Sequence, residues 1–274
     1  MIDAHLHVAS SDIARYPRRV SQLRTTRWWD APKTSTDDVD ADLSAAGVRG
    51  AVLVQAVGLY GYENAYVLNS VRDRTDRSAV VAVDFDQPDA LDVLARLAVR
   101  PNVCGVRLFA VESTSRWWLD EHLVDKVLDA AASHDLTAVV VAFEHQLEAL
   151  LSALCRARGP IVLDHCGFPD VSSGSVADGS AVLALAGAAN VHVKVTSHNL
   201  VDAAGVGAEP LHLVPALISR FGSTRVVWGS DHPQTSLDSY ADHIALAGKA
   251  TAQLDRADRH AVLDANSARL FRLR

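Results

Sequence analysis

A chain of 274 residues, 49% of them apolar and 22% charged, can fill a sizeable core, either as two small domains or as one α/β barrel of about 250 residues. Its net charge of −7 and the lack of a basic run argue against nucleic acid and against an anionic membrane surface. No apolar stretch approaches the roughly 18 residues of a membrane span, so the expected partner is a small molecule, with self-association into a homo-oligomer compatible with these features.

Strand-like and helix-like runs alternate from end to end. The first strand is expected over residues 1–8, where His5 and His7, two apart, project to the same side. Chemistry-bearing residues by His5 leave no room for a signal peptide, and Cys104, Cys155 and Cys166 lack CxxC spacing and read as reduced thiols; a cytoplasmic location follows. A long loop, 9–35, carries Tyr16, Trp28 and Trp29. Thr36 then caps a helix with Val39, Leu43 and Ala46 at helical spacing, closed by Gly47.

Further strands are expected at 50–57, 79–85, 105–109, 137–142, 160–164, 191–196 and 225–229. Leu119, Leu123, Val127 and Ala131 mark one intervening helix, and Leu147, Leu150, Leu151 and Leu154 another. A second long loop, 110–118, carries Arg116, Trp117 and Trp118; the aromatic residues of both loops either wall a pocket or pack the loops onto the barrel. Eight βα units with nearly all-apolar strands predict a (β/α)8 TIM barrel, one domain over 1–274, with function at the C-terminal strand ends. A doubly wound sheet is the rival, but no GxGxxG follows the first strand.

Period-two geometry assigns faces. Arg107 shares the inward face with Gly105 and Phe109, and a buried guanidinium needs an anion, either protein or substrate carboxylate. If His165 faces the axis, Asp164 and Cys166 face the helices, making Cys166 a buried thiol rather than a nucleophile. Asp231 falls on the inward face with Val227 and Gly229, and Trp228 on the outer one. On the seventh strand His192, Lys194 and Thr196 face inward; Lys194 reads as an ion-pair member with Asp3 as one candidate partner. His122, His134, His243 and His260 fall in helices, where surface positions account for them.

The motifs Asp3-Ala4-His5-Leu6-His7, Asp164-His165-Cys166-Gly167 and Gly229-Ser230-Asp231-His232-Pro233 resemble the amidohydrolase superfamily. More narrowly, they resemble its amidohydrolase-related branch, which holds sugar lactonases and 2-pyrone-4,6-dicarboxylate lactonase. Residues 52–56 with Glu63-Asn64, 83–85 with Pro88-Asp89, 105–107, 191–194 and 266–271 extend the resemblance over essentially the whole chain. Binuclear members bridge two metals with a fourth-strand lysine, which is missing here, and His145 lies beyond the fifth strand where mononuclear members place a ligand.

The resemblance implies a hydrolase that opens a small sugar-derived or carboxylated lactone. Asp231 is the expected general base, with His165, His5 and His7 polarising the carbonyl. Arg107, Gln55, Asp84, His198 and Trp28 are candidate substrate contacts. One divalent ion, zinc first, would sit on His5, His7 and Asp231, with metal-independent hydrolysis left open. A metal-dependent decarboxylase of an aromatic or muconate-type acid is the alternative reaction on this fold, and an inactive binding protein the third reading.

Overall fold

The computed structural model describes residues 1–19, 34–111, 114–169, 180–205 and 210–274. Eight strands form one parallel sheet in chain order: β1 (Ile2–Leu6), β2 (Gly50–Val54), β3 (Arg77–Ala82), β4 (Val103–Phe109), β5 (Thr137–Val141), β6 (Ile161–Leu163), β7 (Val191–Thr196) and β8 (Val226–Gly229). This is the expected (β/α)8 barrel, and the expected strands differ from the observed ones by a few residues at their ends. Among the described residues, no helix is long and apolar enough to cross a membrane.

The apolar runs in the strands are explained by two cores. Inside the barrel lie Ile2, Ala4, Val52, Val54, Val80, Val139, Val162 and Val227, floored by Leu270, Phe271 and Leu273. Outside, alternate strand residues such as Val81, Leu108, Val193 and Trp228 meet the helices. Trp228 therefore packs outward as its parity requires, and Cys166 joins the same outer core.

Helices fill the connections where their caps direct. The first, Thr36–Ala45, is capped by Ser35 rather than by Thr36; the Ser35 hydroxyl accepts from Asp38 N–H. The helix Glu121–Ser133 is capped by Asp120, and Glu144–Arg156 follows β5.

The β8–β1 seam closes by a short set of bonds. Leu6 and His232 form an isolated parallel bridge. His7 N–H donates to His232 O at 2.9 Å, and Asp231 N–H to His5 O at 2.7 Å. The Asp3 carboxylate adds one more, accepting from Ser230 N–H at 2.8 Å, and within β1 the same oxygen accepts from His5 N–H at 3.0 Å. Gly229 is needed here, because a Cβ at that position would come 2.5 Å from His5 Cβ.

Candidate active site

The C-terminal ends of β1, β6, β7 and β8 bring His5, His7, Asp164, His165, Lys194 and Asp231 into one buried cluster. In β1, Asp3 pairs with Ala51 and Leu6 with Leu53, so three residues on one strand oppose two on the other. This bulge resets the alternation between Ala4 and His5. Asp3 consequently faces outward, where its second oxygen accepts from Tyr240 Oη at 3.0 Å, while His5 and His7 face the mouth. Burial lifts the Asp3 carboxyl to about 6 against these hydrogen bonds.

Asp3 is therefore not the partner of Lys194. That partner is Asp164, whose Oδ1 lies 2.7 Å from Lys194 Nζ and whose Oδ2 lies 3.3 Å from Arg107 Nε. Asp164 was expected to face the helices. It faces the axis because the chain enters the left-handed region immediately after it, at His165 (φ 53) and Cys166 (φ 54), which brings two consecutive side chains to the mouth. Such backbone costs about 1–3 kcal/mol per residue and is characteristic of functional positions. Burial works against the Asp164 charge, but Lys194, His5 and Arg107 outweigh it and hold the carboxyl well below its usual range.

Asp231, also left-handed (φ 57), reaches three imidazoles. Its Oδ1 lies 3.3 Å from His7 Nε2 and 3.5 Å from His5 Nε2, and its Oδ2 lies 3.9 Å from His165 Nδ1. Burial alone would raise its pKa; a proton or positive charge on the imidazoles of His165, His7 and His5 overcomes that and keeps it below the ordinary carboxylate range. Burial lowers His5 to about 3 and His165 to about 4, so both are neutral near pH 7.

Proton positions follow from the partners. His7 Nδ1 is 2.7 Å from the Val54 carbonyl, which only accepts, so Nδ1 carries the proton and Nε2 a lone pair. His5 Nδ1 lies 3.4 Å from the Asp164 carboxylate, which favours a proton there and a lone pair on Nε2. The two Nε2 atoms are 3.1 Å apart. With Asp231 they make three electron-pair donors converging on one point, an arrangement that needs a cation between them, either a shared proton or a divalent ion. The donor set therefore fits a metal, and His5, His7 and Asp231 are the residues that could hold it. His5, Asp164 and His165 form a second, overlapping set.

The other expected site residues are distributed as follows. Arg107 is inward and buried, with a second bond from its guanidinium to Gln55 O at 3.3 Å. Gln55 turns its amide into the following loop, donating to Gly61 O and Glu63 O. The Asp84 carboxylate bonds Asp86 N–H and the Gln87 amide within its own loop. His198 stands at the rim, 3.4 Å from Asp202, with its ring 6.0 Å from that of His165. Trp28 and Trp29 lie outside the described residues.

His145 is exposed on its helix, against Trp118, and away from the cluster. Tyr16 packs on Tyr66, and Trp117 is buried against Phe85, so these loop aromatics pack the loops onto the barrel. His243, expected at the surface, is buried beside His232 and Tyr240.

Two contributors were missed by sequence reasoning, Asp164 and Thr196; the Thr196 hydroxyl lies 2.9 Å from His165 Nδ1. The available signal was Lys194 itself, because an inward lysine demands an inward acid and Asp164 ends a neighbouring apolar strand. Opposite this polar half, Val57, Ala82, Phe109 and Val141 make an apolar wall.

The amidohydrolase family matches residues 2–273 of the chain. An L-fucono-1,5-lactonase of Burkholderia ambifaria is 33% identical over 246 residues, covering 86% of this chain and 81% of the relative. A 4-sulfomuconolactone hydrolase of Rhizobium radiobacter is 25% identical over 276 positions, covering 98% and 89%. The fold is shared by an amidohydrolase from Burkholderia multivorans solved with bound zinc, with a TM-score of 0.74 at 21% identity over 100% of this chain and 99% of that one.

Proposed function

The chain belongs to the amidohydrolase family, and from that premise we propose that it hydrolyses a small lactone, one derived from a sugar or carrying a carboxylate. The observation that carries this reading is the convergence of the Asp231 carboxylate with His5, His7 and His165 in a buried mouth. The two lactone-hydrolysing relatives support it. The free cysteines and the small-molecule chemistry fit an enzyme of the cytoplasm.

A lactone is a cyclic ester, and opening it requires water to lose a proton as its oxygen bonds the carbonyl carbon. Asp231, ionised at neutral pH, accepts that proton. The ring C–O bond then breaks, and the proton passes from Asp231 to the departing oxygen, giving the open hydroxy acid. His165 hydrogen-bonds the carbonyl oxygen through Nε2 as negative charge develops, a tautomer that requires the Thr196 hydroxyl to turn its proton from Asn199 Oδ1 to His165 Nδ1. Arg107, fixed by Asp164 and the Gln55 carbonyl, faces the mouth as the group that grips a substrate carboxylate. A divalent ion, zinc first, would be held by His5, His7 and Asp231, where it supplies positive charge that polarises a carbonyl and makes water more acidic.

Acid release from a panel of sugar lactones and carboxylated lactones, measured with and without chelator, tests the reading. Asp231→Asn is expected to lower kcat by about 10²–10⁴; retention of most turnover would remove Asp231 from the role of base. Release of carbon dioxide in place of acid would assign the site to a decarboxylase.

A further inference from the structure

Two sets of metal-ligating side chains overlap at the mouth: His5, His7 and Asp231, and His5, Asp164 and His165. Both include His5, and a neutral imidazole offers one lone pair at a time, so the sets compete for a single ion. They differ in the cations already present. Asp231 is approached by imidazoles alone among the described charged side chains within 4.0 Å. Asp164 is approached by two fixed cations, Lys194 Nζ at 2.7 Å on one oxygen and Arg107 Nε at 3.3 Å on the other. Lys194 is fully buried, with its ammonium 5.2 Å from the centre of the Phe271 ring.

Resting on the reading that a divalent ion binds this mouth, we propose that Lys194 is a built-in cation that keeps Asp164 out of metal ligation and so assigns the ion to His5, His7 and Asp231. A divalent ion on Asp164 Oδ1 would share one carboxylate oxygen with an ammonium in a poorly screened interior, where like charges repel strongly. Asp164 instead serves His5. Lying 3.4 Å from His5 Nδ1, it holds the proton on that nitrogen and turns Nε2 toward the ion. Among the described residues, the four full charges of the cluster, two aspartates and two cations, balance before any ion enters, and of the two aspartates Asp231 is the one without a lysine or arginine within 4.0 Å.

Zinc binding, read by metal analysis after equilibrium dialysis of stripped protein and by calorimetric titration, tests the assignment. Wild type is expected to take one zinc. His7→Ala should weaken binding about 100-fold, whereas His165→Ala should stay within about threefold of wild type. In the His7→Ala background, Lys194→Met should restore at least about tenfold of the lost affinity by freeing Asp164, and adding Asp164→Asn should abolish that gain.

The inference is overturned if His165→Ala loses zinc as His7→Ala does, or if Lys194→Met restores nothing in a folded double variant. The first comparison leaves Lys194 intact and decides which set holds the ion; the role of Lys194 is read from the rescue, with Lys194→Gln as the second variant where Lys194→Met does not fold. A wild-type protein that takes no zinc defeats the metal reading itself, and the inference with it; one zinc without rescue defeats the role of Lys194 alone.

Discussion

Asp231 and His165 titrate at opposite ends of one contact, and the sign of each shift sets the acid limb of activity. Asp231 is held below the usual carboxylate range, and burial keeps His165 neutral down to about pH 4 and His5 to about 3. Above these values the base is ionised and the imidazoles are uncharged. The expected profile of kcat/KM is therefore flat from about pH 5 to 8 on its acid side and falls only as pH drops toward 4. An inflection near 6.5, the value of a histidine in water, would mean that these rings are solvated in the free enzyme. At this scale the sequence was readable where a residue's demand is local. Arg107 had to meet an anion, and it does. Gln55 was ambiguous because a buried amide is satisfied equally by substrate or by backbone, and here Gly61 and Glu63 carbonyls take it.

The β8–β1 seam is where elements become chemistry. Gly229 lets the strand carrying Asp231 approach the one carrying His5; a methyl there would stand 2.7 Å from His5 N as well as against its Cβ. Gly229→Ala is expected to cost about 1–3 kcal/mol of stability, as overpacking does. It should also reduce kcat by more than that destabilisation explains, since the displaced atoms belong to His5. Denaturant unfolding and turnover, measured on the same preparation, check both; unchanged kcat in a destabilised variant would show that the seam absorbs the methyl away from the site. Period-two reading succeeds along the regular strands, placing Trp228 outward and Lys194 inward. It fails at two interruptions, the β1 bulge that turns Asp3 outward and the left-handed step after Asp164. Both are backbone events that no side-chain pattern announces, and both lie beside the site.

For the molecule as a whole, the buried imidazoles tie stability to pH. His5 near 3, and His165, His192 and His243 near 4, are all lowered by burial from the 6.5 of an exposed ring. Between about pH 4 and 6.5 the unfolded chain therefore binds more protons than the folded one, and stability rises with pH. Each such group contributes a slope of about 1.4 kcal/mol per pH unit where it is protonated only in the unfolded state. Asp3, raised to about 6, acts in the opposite sense but is outnumbered. Tm is expected to fall by on the order of 10 °C between pH 7 and 5, followed by calorimetry; a constant or rising Tm would mean that these rings carry charge in the folded state.

The barrel itself was legible because eight apolar strands separated by helical runs admit few closed arrangements. The burial of His243 was not, because helical spacing shows which residues share a face but not how deeply a neighbouring loop covers it. The seam also sets a schedule. Ser230 and His5, joined in the finished barrel, are 225 residues apart, and at about 5–20 residues per second a ribosome needs roughly 10 to 45 s to deliver the second after the first. Throughout that interval β1 has an open edge and its histidines lack the Asp231 carboxylate, so the nascent chain is both catalytically silent and a target for chaperones until the last strand emerges.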